Sequence, residues 1–576
     1  MDNHRISSIL GEIAFLLEVN GARPDLARAY HKAARTIKKM RIHPREFKSA
    51  RDLARSTSIA PQISEGIWSL ITIGCLPLHQ NLIAETPHVI MDMAAIRGLT
   101  PKKVRIIFEY LSIENLTDLE IACIENQVAG VPGIGPRTQS LILKGIHELK
   151  KFSGHVLLDE GVAAAESLRS GIEGISGIRH VETAGFMRRS TETVRNITLV
   201  VSTEHPKPVL KAFCSHPLVR ETYREDDDSA SVILHDGIQA HLHTAGDEEF
   251  ASTLIFRTGS DAHVANLMAL AANSGFNLCQ KGLFREGSGR AEPAESEKAI
   301  YNRLGLQWIP PEIRESDGEI EAARLDAIPR LIECHDIYGA FHIHTCYSDG
   351  ENTIREYIEE AGRLGWEYIG ISDHSRSADY AGGLTLEALE RQRKEIDLLN
   401  AEQKDVRVFA GIESDILPDG SLDYPDEVLD GFDFIIASVH SQMNMTREAM
   451  TKRVLRAICN PRVTMLGHPT GRLLLEREPY QIDIEEVIQA AARHGVIIEL
   501  NANPCRLDIN WQDLKKAVRA GVMTSINPDA HRISNLDYVR LGTGVARKAW
   551  CGASHVFNAR PLNFVADYLE KRKRSV

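Results

Sequence analysis

His342 and His344 stand two residues apart, with apolar Phe341 and Ile343 on the alternate positions. On a β-strand, side chains i and i+2 share a face, so both imidazoles should project to the same side. Asp349 follows just past the expected strand end, before Gly350, a residue that suits a turn. Two imidazoles and a carboxylate converging at the C-terminal end of a strand form a donor set for a divalent metal. The pattern recurs downstream. Short apolar runs at 368–374, 408–413, 434–440 and 463–468 end in His374, Glu413, His440 and His468, and the run at 525–531 carries Asp529 and His531. A single histidine at the end of a core strand is ordinarily structural. Nine candidate ligands on recurring strand ends favour a metal centre instead. Mixed imidazole and carboxylate donors suit Mn²⁺, Zn²⁺ or Fe²⁺ better than Mg²⁺.

Something must bring these ends together. Between the apolar runs lie helix-like segments at 354–364, 384–399 and 484–494. Strands alternating with helices, with polar residues at the strand C-termini, predict a β/α barrel that carries its site at one end.

This part of the chain, roughly 335–576, resembles the PHP (polymerase and histidinol phosphatase) family, a distorted β/α barrel holding up to three divalent metals. The resemblance implies one metal on His342, His344, Glu413 and Asp529, a second on Asp349, His374 and His531, and a third on His440 and His468 with Glu413 bridging. Two to three ions, Mn²⁺ or Zn²⁺ first and Fe²⁺ also compatible, are therefore expected. Clustered dications lower the pKa of a bound water and stabilise the attacking and leaving oxygens of a phosphoryl ester. Arg472, one turn beyond His468, offers a planar fork that suits phosphate oxygens; its other reading is a structural salt bridge.

The chain of 576 residues is too long for one ordinary domain. No apolar run reaches about 18 residues and the start does not read as a signal peptide, so a cytoplasmic protein without a membrane partner is expected. The nine cysteines are scattered with no C-x-x-C, which fits reduced thiols, and Cys346 reads as a packing thiol. The net charge is −12 but uneven. Residues 1–150 hold 19 Lys/Arg against 15 Asp/Glu, for +4, and the remainder holds 48 against 64, for −16. Only the first part is an electrostatic platform for DNA.

There, residues 25–39 predict an amphipathic helix with a basic face of Arg28, His31, Lys32, Arg35, Lys38 and Lys39. Helix–turn–helix patterns follow at 57–75 and 92–112. At 131–144, Gly133 and Gly135 bracket a tight hairpin before a helix, which presents unpaired backbone N–H groups and a helix dipole to an anion. Gly133, Ile134, Gly135, Arg137 and Lys144 are the expected contacts to a DNA phosphate backbone.

With these hairpins, the leading helices, the mixed segment 155–315 and the phrase at 308–319, nearly the whole chain resembles the bacterial family X DNA polymerases that append a PHP domain. The resemblance implies a multidomain protein. A small helical 5′-phosphate-binding domain (1–80) leads, followed by helix-hairpin-helix fingers (81–154), an α+β palm (155–245), a thumb (246–315) and the PHP barrel (335–576). The stretches 286–297 and 312–336 read as connections between domains.

The nucleotidyl-transfer residues of that family are altered. Phe186 follows Gly185 where the family has Ser, the Asp-x-Asp positions hold Asn196 and Thr198, and the third Asp position holds His241; Arg188 and Arg189 remain. Two dications need carboxylates, so polymerase activity is expected to be absent. The first hairpin reads Ser58-Ile59-Ala60, the second keeps only Gly98, and the lyase lysine position holds Gly66, which has no amine for a Schiff base. The expected function is a metal-dependent DNA phosphoesterase, a 3′→5′ exonuclease or 3′-end-trimming repair nuclease. It would be a monomer acting on gapped, nicked or 3′-ended DNA, with Glu413 and Arg472 as catalytic residues. The competing readings are a small-molecule phosphatase of the histidinol-phosphate type, an inactive DNA-binding scaffold, and a polymerase active despite its palm.

Overall fold

The structure, a computed structural model, describes residues 3–21, 23–40, 44–72, 75–96, 99–111, 113–152 and 154–574. Gly98 and the side chain of Lys39 lie outside the described residues. The chain divides into two compact units, Met1–Ser153 and Gly154–Val576.

In the first unit, helix α1 (Asn3–Val19) buries Ile6, Leu10, Ile13 and Leu17, a spacing of four, three and four that lines one face. Helix α2 (Pro24–Lys39) meets it with Ala27, Tyr30, Ala34 and Ile37 and leaves Arg28, Lys32, Arg35 and Lys38 exposed. Gly66 packs so closely that a Cβ there would lie 2.5 Å from Leu76, leaving no room for a lysine without moving the leucine. Gly133, with φ +81°, turns the last hairpin into helix α3 (Pro136–Phe152), and the Gln139 amide ties the turn by bonding Ala129 N and Asn126 Oδ1.

In the second unit, after a helix at Leu158–Glu173, comes a five-stranded sheet of β1 (Ile178–Ala184), β2 (Asn196–Thr203), β3 (Val219–Glu225), β4 (Ser229–Leu234) and β5 (Gln239–Ala245), in the order β1-β2-β5-β4-β3. Strands β2 and β5 are parallel, with Thr198 opposite His241. Helix α4 (Asp247–Thr258) crosses this sheet. The two expected connections carry structure of their own, and the first is corrected. The stretch 286–297 lies inside the next module, where Ala291–Glu292 pairs with the strand Gly282–Arg285. The stretch 312–336 carries a short helix, Glu319–Arg324, whose Ile320 and Ala323 pack in that module's core. In both, local polarity hid side chains that have partners.

The barrel has seven parallel strands in sequence order: β6 (Gly339–Ile343), β7 (Tyr368–Ile371), β8 (Arg407–Asp415), β9 (Phe434–Ser438), β10 (Met465–Leu466), β11 (Ile497–Asn501) and β12 (Thr524–Asn527). A parallel bridge between Ile343 and Ala530 closes it. Helices Ile354–Arg363, Leu386–Glu402 and Ile484–His494 connect the strands, within three residues of their expected bounds. Period-2 alternation sorts the interior into layers. Along β8, Phe409 joins an aromatic floor with Phe341, Tyr368, Phe434 and Phe557. Gly411 comes next, because a Cβ there would lie 2.3 Å from Phe434; Gly370 is constrained the same way by Phe341. Glu413 follows, at the level of the expected ligands.

Candidate metal centre

All nine sequence-derived ligands meet at the C-terminal end of the barrel, around Glu413. His342 Nε2 lies 3.2 Å from Glu413 Oε1, His440 Nε2 3.3 Å and His468 Nε2 3.0 Å from the same oxygen. His374 Nδ1 is 2.9 Å and His344 Nε2 3.7 Å from Oε2. Asp529 Oδ1 stands 3.5 Å from His342 Nε2 and 3.3 Å from His344 Nε2. At the rim, Asp349 approaches His374 at 3.7 Å and His531 at 3.5 Å. Among the described residues, four donor groups are compact enough to hold an ion: His344/Asp349/His374/His531, His342/Glu413/His468, His342/His344/Asp529 and His374/Glu413/His440. This differs from the expected partition. His468 groups with His342, His374 serves two groups, and His344 joins the rim set.

The donor chemistry fits metal ions. Buried polar atoms normally find partners, yet His342 Nε2, both ring nitrogens of His344, His374 Nδ1, His468 Nδ1 and Glu413 Oε2 are buried without a hydrogen bond. The backbone is strained at the same place. His342, His468 and Asp529 have φ of +59°, +24° and +50°, in the left-handed region that non-glycine residues avoid. At His342 the strain accompanies an extra residue in the β6–β7 register between Ala340 and Ile343. The two histidines are therefore brought together by a bulge as well as by strand alternation.

Carboxylates stand behind three of the candidate ligands, an arrangement usual around metal sites. Glu499 Oε1 lies 2.6 Å from His342 Nδ1, while its Oε2 accepts from His468 N at 2.7 Å. Asp415 Oδ1 lies 2.5 Å from His440 Nδ1. Burial opposes charge on His440, but Glu413 and Asp415 outweigh it and push the imidazole up to about 9. Burial is likewise outweighed at His531, where Asp349 drives the value to about 9, and at His342, raised by Glu499 and Glu413. Burial and the neighbouring His374 and His531 push His344 down to about 3. Against burial, the surrounding imidazoles hold Glu413 and Asp529 well below the usual carboxylate range. Glu499 and Asp415 were missed by the sequence reading: Glu499 closes the apolar run Val496–Ile498 in the same pattern as the ligands, a signal that could have found it, whereas Asp415 stands two residues past Glu413 with no apolar run of its own.

Arg472 does not face this cluster. Its Nε donates to Arg506 O at 2.9 Å, its Nη1 pairs with Glu192 at 3.1 Å, and its Nη2 donates to Leu507 O. The salt-bridge reading describes these contacts. The guanidinium at the cluster belongs to Arg506, whose Nε is 3.3 Å from Asp529 Oδ2. Tyr380, 71% exposed, stands at the mouth with its ring 6.0 Å from His374 and 6.3 Å from His440. Cys346 is exposed beside the site, so the packing role expected for it is corrected.

The palm presents the opposite picture. Thr198 Oγ1 donates to Asn196 Oδ1 at 3.3 Å, and His241 Nδ1 pairs with Ser231 Oγ at 2.9 Å. Burial, helped by the charge of Arg257 from the end of α4, lowers His241 and His243, the latter to about 3. Arg188 forks onto Glu297 at 2.8 Å through both terminal nitrogens, and Arg189 pairs with Glu315 at 3.0 Å. In the hairpin, Gly133, Gly135, Arg137 and Lys144 are exposed, whereas the Ile134 side chain is buried in the unit's core. Only the backbone of Ile134 is available to a phosphate.

The DNA polymerase beta thumb family model matches residues 253–315, and the PHP domain model matches residues 340–503. The chain is 34% identical over 573 residues to the DNA polymerase/3'-5' exonuclease PolX of Bacillus subtilis, covering 99% of this chain and 100% of that one. Over 246 residues it is 28% identical to a probable phosphatase of Thermoanaerobacter sp., covering 41% of this chain and 95% of that protein. It is 31% identical to a probable phosphatase of Clostridium acetobutylicum, covering 34% and 82%. Among the described residues, no single helix is long and apolar enough to cross a membrane.

Proposed function

Because the chain belongs to the family X DNA polymerases that carry a C-terminal PHP domain, we propose that it is a metal-dependent 3′→5′ exonuclease whose palm no longer polymerises. The observation that carries this reading is the contrast in donors: imidazoles without hydrogen bonds around Glu413 in the barrel, against Thr198 bonded to Asn196 and His241 bonded to Ser231 in the palm.

His342, His344, Asp349, His374, Glu413, His440, His468, Asp529 and His531 would hold two to three Mn²⁺ or Zn²⁺ ions, with Fe²⁺ compatible. When bound, such ions supply a water nucleophile at neutral pH and neutralise the phosphodiester oxygens. The chain's own residues do the rest. Glu413 sits between five imidazoles and fixes their spacing. Glu499 and Asp415 hold His342 and His440 by Nδ1, leaving each Nε2 toward the cluster. Arg506 is placed to take a substrate phosphate oxygen with its terminal nitrogens while its Nε stays on Asp529. Tyr380 offers an exposed ring on which a terminal base could stack.

DNA would be gripped by the exposed hairpin at Gly133–Gly135 and the basic face of α2, through phosphates rather than bases. Gapped, nicked or 3′-ended DNA is the substrate this layout suits, bound by a monomer. The small-molecule phosphatase reading is disfavoured because such an enzyme has no use for hairpin repeats. Incubation with end-labelled primer–template and Mn²⁺, with and without dNTPs, tests the proposal on a sizing gel. Shortening without extension is expected; template-directed extension would overturn the palm reading, and no shortening would overturn the nuclease reading.

A further inference from the structure

The palm turn at 189–192 reaches the barrel beside the metal centre. Glu192 Oε2 pairs with Arg472 Nη1 at 3.1 Å, and its Oε1 accepts from the Trp511 backbone at 3.4 Å. Lys548 Nζ donates to Arg189 O at 3.1 Å, and Ser190 packs so tightly on Gly544 that a Cβ there would lie 2.5 Å from its hydroxyl. Arg472 spends its other donors on the carbonyls of Arg506 and Leu507. Both carbonyls belong to the loop that points Arg506 at Asp529.

The geometry points to Glu192 as a positioning residue for the barrel site: through Arg472 it holds the loop that aims Arg506. This rests on the reading of Arg506 given above. Three features separate a positioning role from general adhesion. A guanidinium is a rigid planar fork, so fixing one terminal nitrogen on Glu192 fixes the directions of the other donors. The loop needs such restraint, because Leu507 has φ +38° and a non-glycine residue stays there only when its surroundings impose it. Finally, Asp508 lies buried in the same loop, accepting from Thr470 N and Oγ1 at 3.0 and 2.9 Å, and where burial raises its carboxyl the Arg472 charge favours the ionised form. Without Glu192 the guanidinium would be drawn toward Asp508 and away from the two carbonyls. A palm without its carboxylates then still serves the chain, as a brace for the nuclease site.

The test uses the full-length, Mn²⁺-loaded protein and a deoxynucleoside 5′-monophosphate as the probe of the phosphate position, with affinity measured by calorimetry and bound metal by elemental analysis. Arg506→Ala should weaken the probe on the order of 10- to 100-fold, and Glu192→Ala roughly tenfold, since small misplacements at such sites carry effects of that size. Metal content should be unchanged in both. Glu192→Asp should recover part of the loss, and Glu192→Gln, which keeps the shape, serves should the alanine variant fold poorly. The double variant should bind no more weakly than Arg506→Ala alone, because both changes act on one contact. Wild-type affinity in Glu192→Ala, or losses that simply add, would overturn the positioning role while leaving Arg506 in place. Unchanged affinity in Arg506→Ala would overturn the Arg506 reading itself, and the positioning role with it.

Discussion

The palm sheet and the barrel both carry polar side chains at the ends of apolar strands, but those side chains end up in opposite states. In the palm, Asn196 bonds Thr198, His241 bonds Ser231, and the arginines 188 and 189 are spent on Glu297 and Glu315. In the barrel, six buried atoms of four histidines and one glutamate make no hydrogen bond, and three candidate ligands sit on strained backbone. Burying a polar atom without a hydrogen bond is costly. A scaffold therefore satisfies its strand ends internally, and a site leaves them for something that binds. Residue type alone does not separate the two, since histidines occupy both places.

The sharpest way to break this contrast is to remove its centre. Glu413→Ala should abolish both metal uptake and primer shortening while DNA binding survives, because the carboxylate spaces five imidazoles; elemental analysis and a sizing gel report the two effects. His342→Ala should do the same. Shortening that persists in Glu413→Ala would place the nuclease elsewhere.

Rebuilding the palm approaches from the other side. Asn196→Asp, Thr198→Asp and His241→Asp together should restore carboxylates on β2 and β5. Arg257, close enough to shift His241 and His243, would compete for them with any dication. Weak metal uptake without primer extension is the expected result. Efficient extension by the triple variant would show that only the carboxylates had been lost.

Glu499→Gln and Asp415→Asn test the supports behind the ligands. Each should lower metal affinity by roughly 10- to 100-fold, the usual effect of such partners, and competition with a chelator of known affinity measures it. A change at Asn196 or Ser231 should have no such effect.

The pH dependence of metal uptake should follow the histidines. His440 and His531 are raised to about 9 in the metal-free protein, above their ordinary value of about 6.5. Their protonated forms stabilise the metal-free fold below that value, and the contribution fades as pH rises through about 9. Metal must displace those protons, so apparent affinity should climb from pH 6 to about pH 9 with proton release, visible by calorimetry in buffers of different ionisation enthalpy. Affinity that is flat across this range would contradict the assignment of these two ligands.

The smallest expected effect lies in the first unit. Gly133→Val and Gly135→Val should weaken DNA binding and flatten its salt dependence by a slope of about 0.9 for each lost phosphate contact. Barrel chemistry on a small diester should be untouched.

Some of this was written in the chain directly. Apolar runs ending in His, Glu or Asp at the spacing of alternating strands and helices were enough for the barrel and for the nine candidate ligands that meet at its end, because strand periodicity and burial are local properties. The altered palm was equally legible, since it is a matter of which residues stand at three positions. The tertiary structure decided what depends on distant partners. Glu499 and Asp415 gain their roles by lying 2.6 and 2.5 Å from imidazoles 157 and 25 residues away in the chain. Arg472 and Arg506 illustrate the same limit. Arg472 stands four residues from His468 and Arg506 twenty-three from Asp529, yet the first is held by Glu192, 280 residues away, and the second pairs with Asp529. A side chain's direction is set by whichever partner the closed barrel brings within reach, and that partner is not encoded in its neighbours.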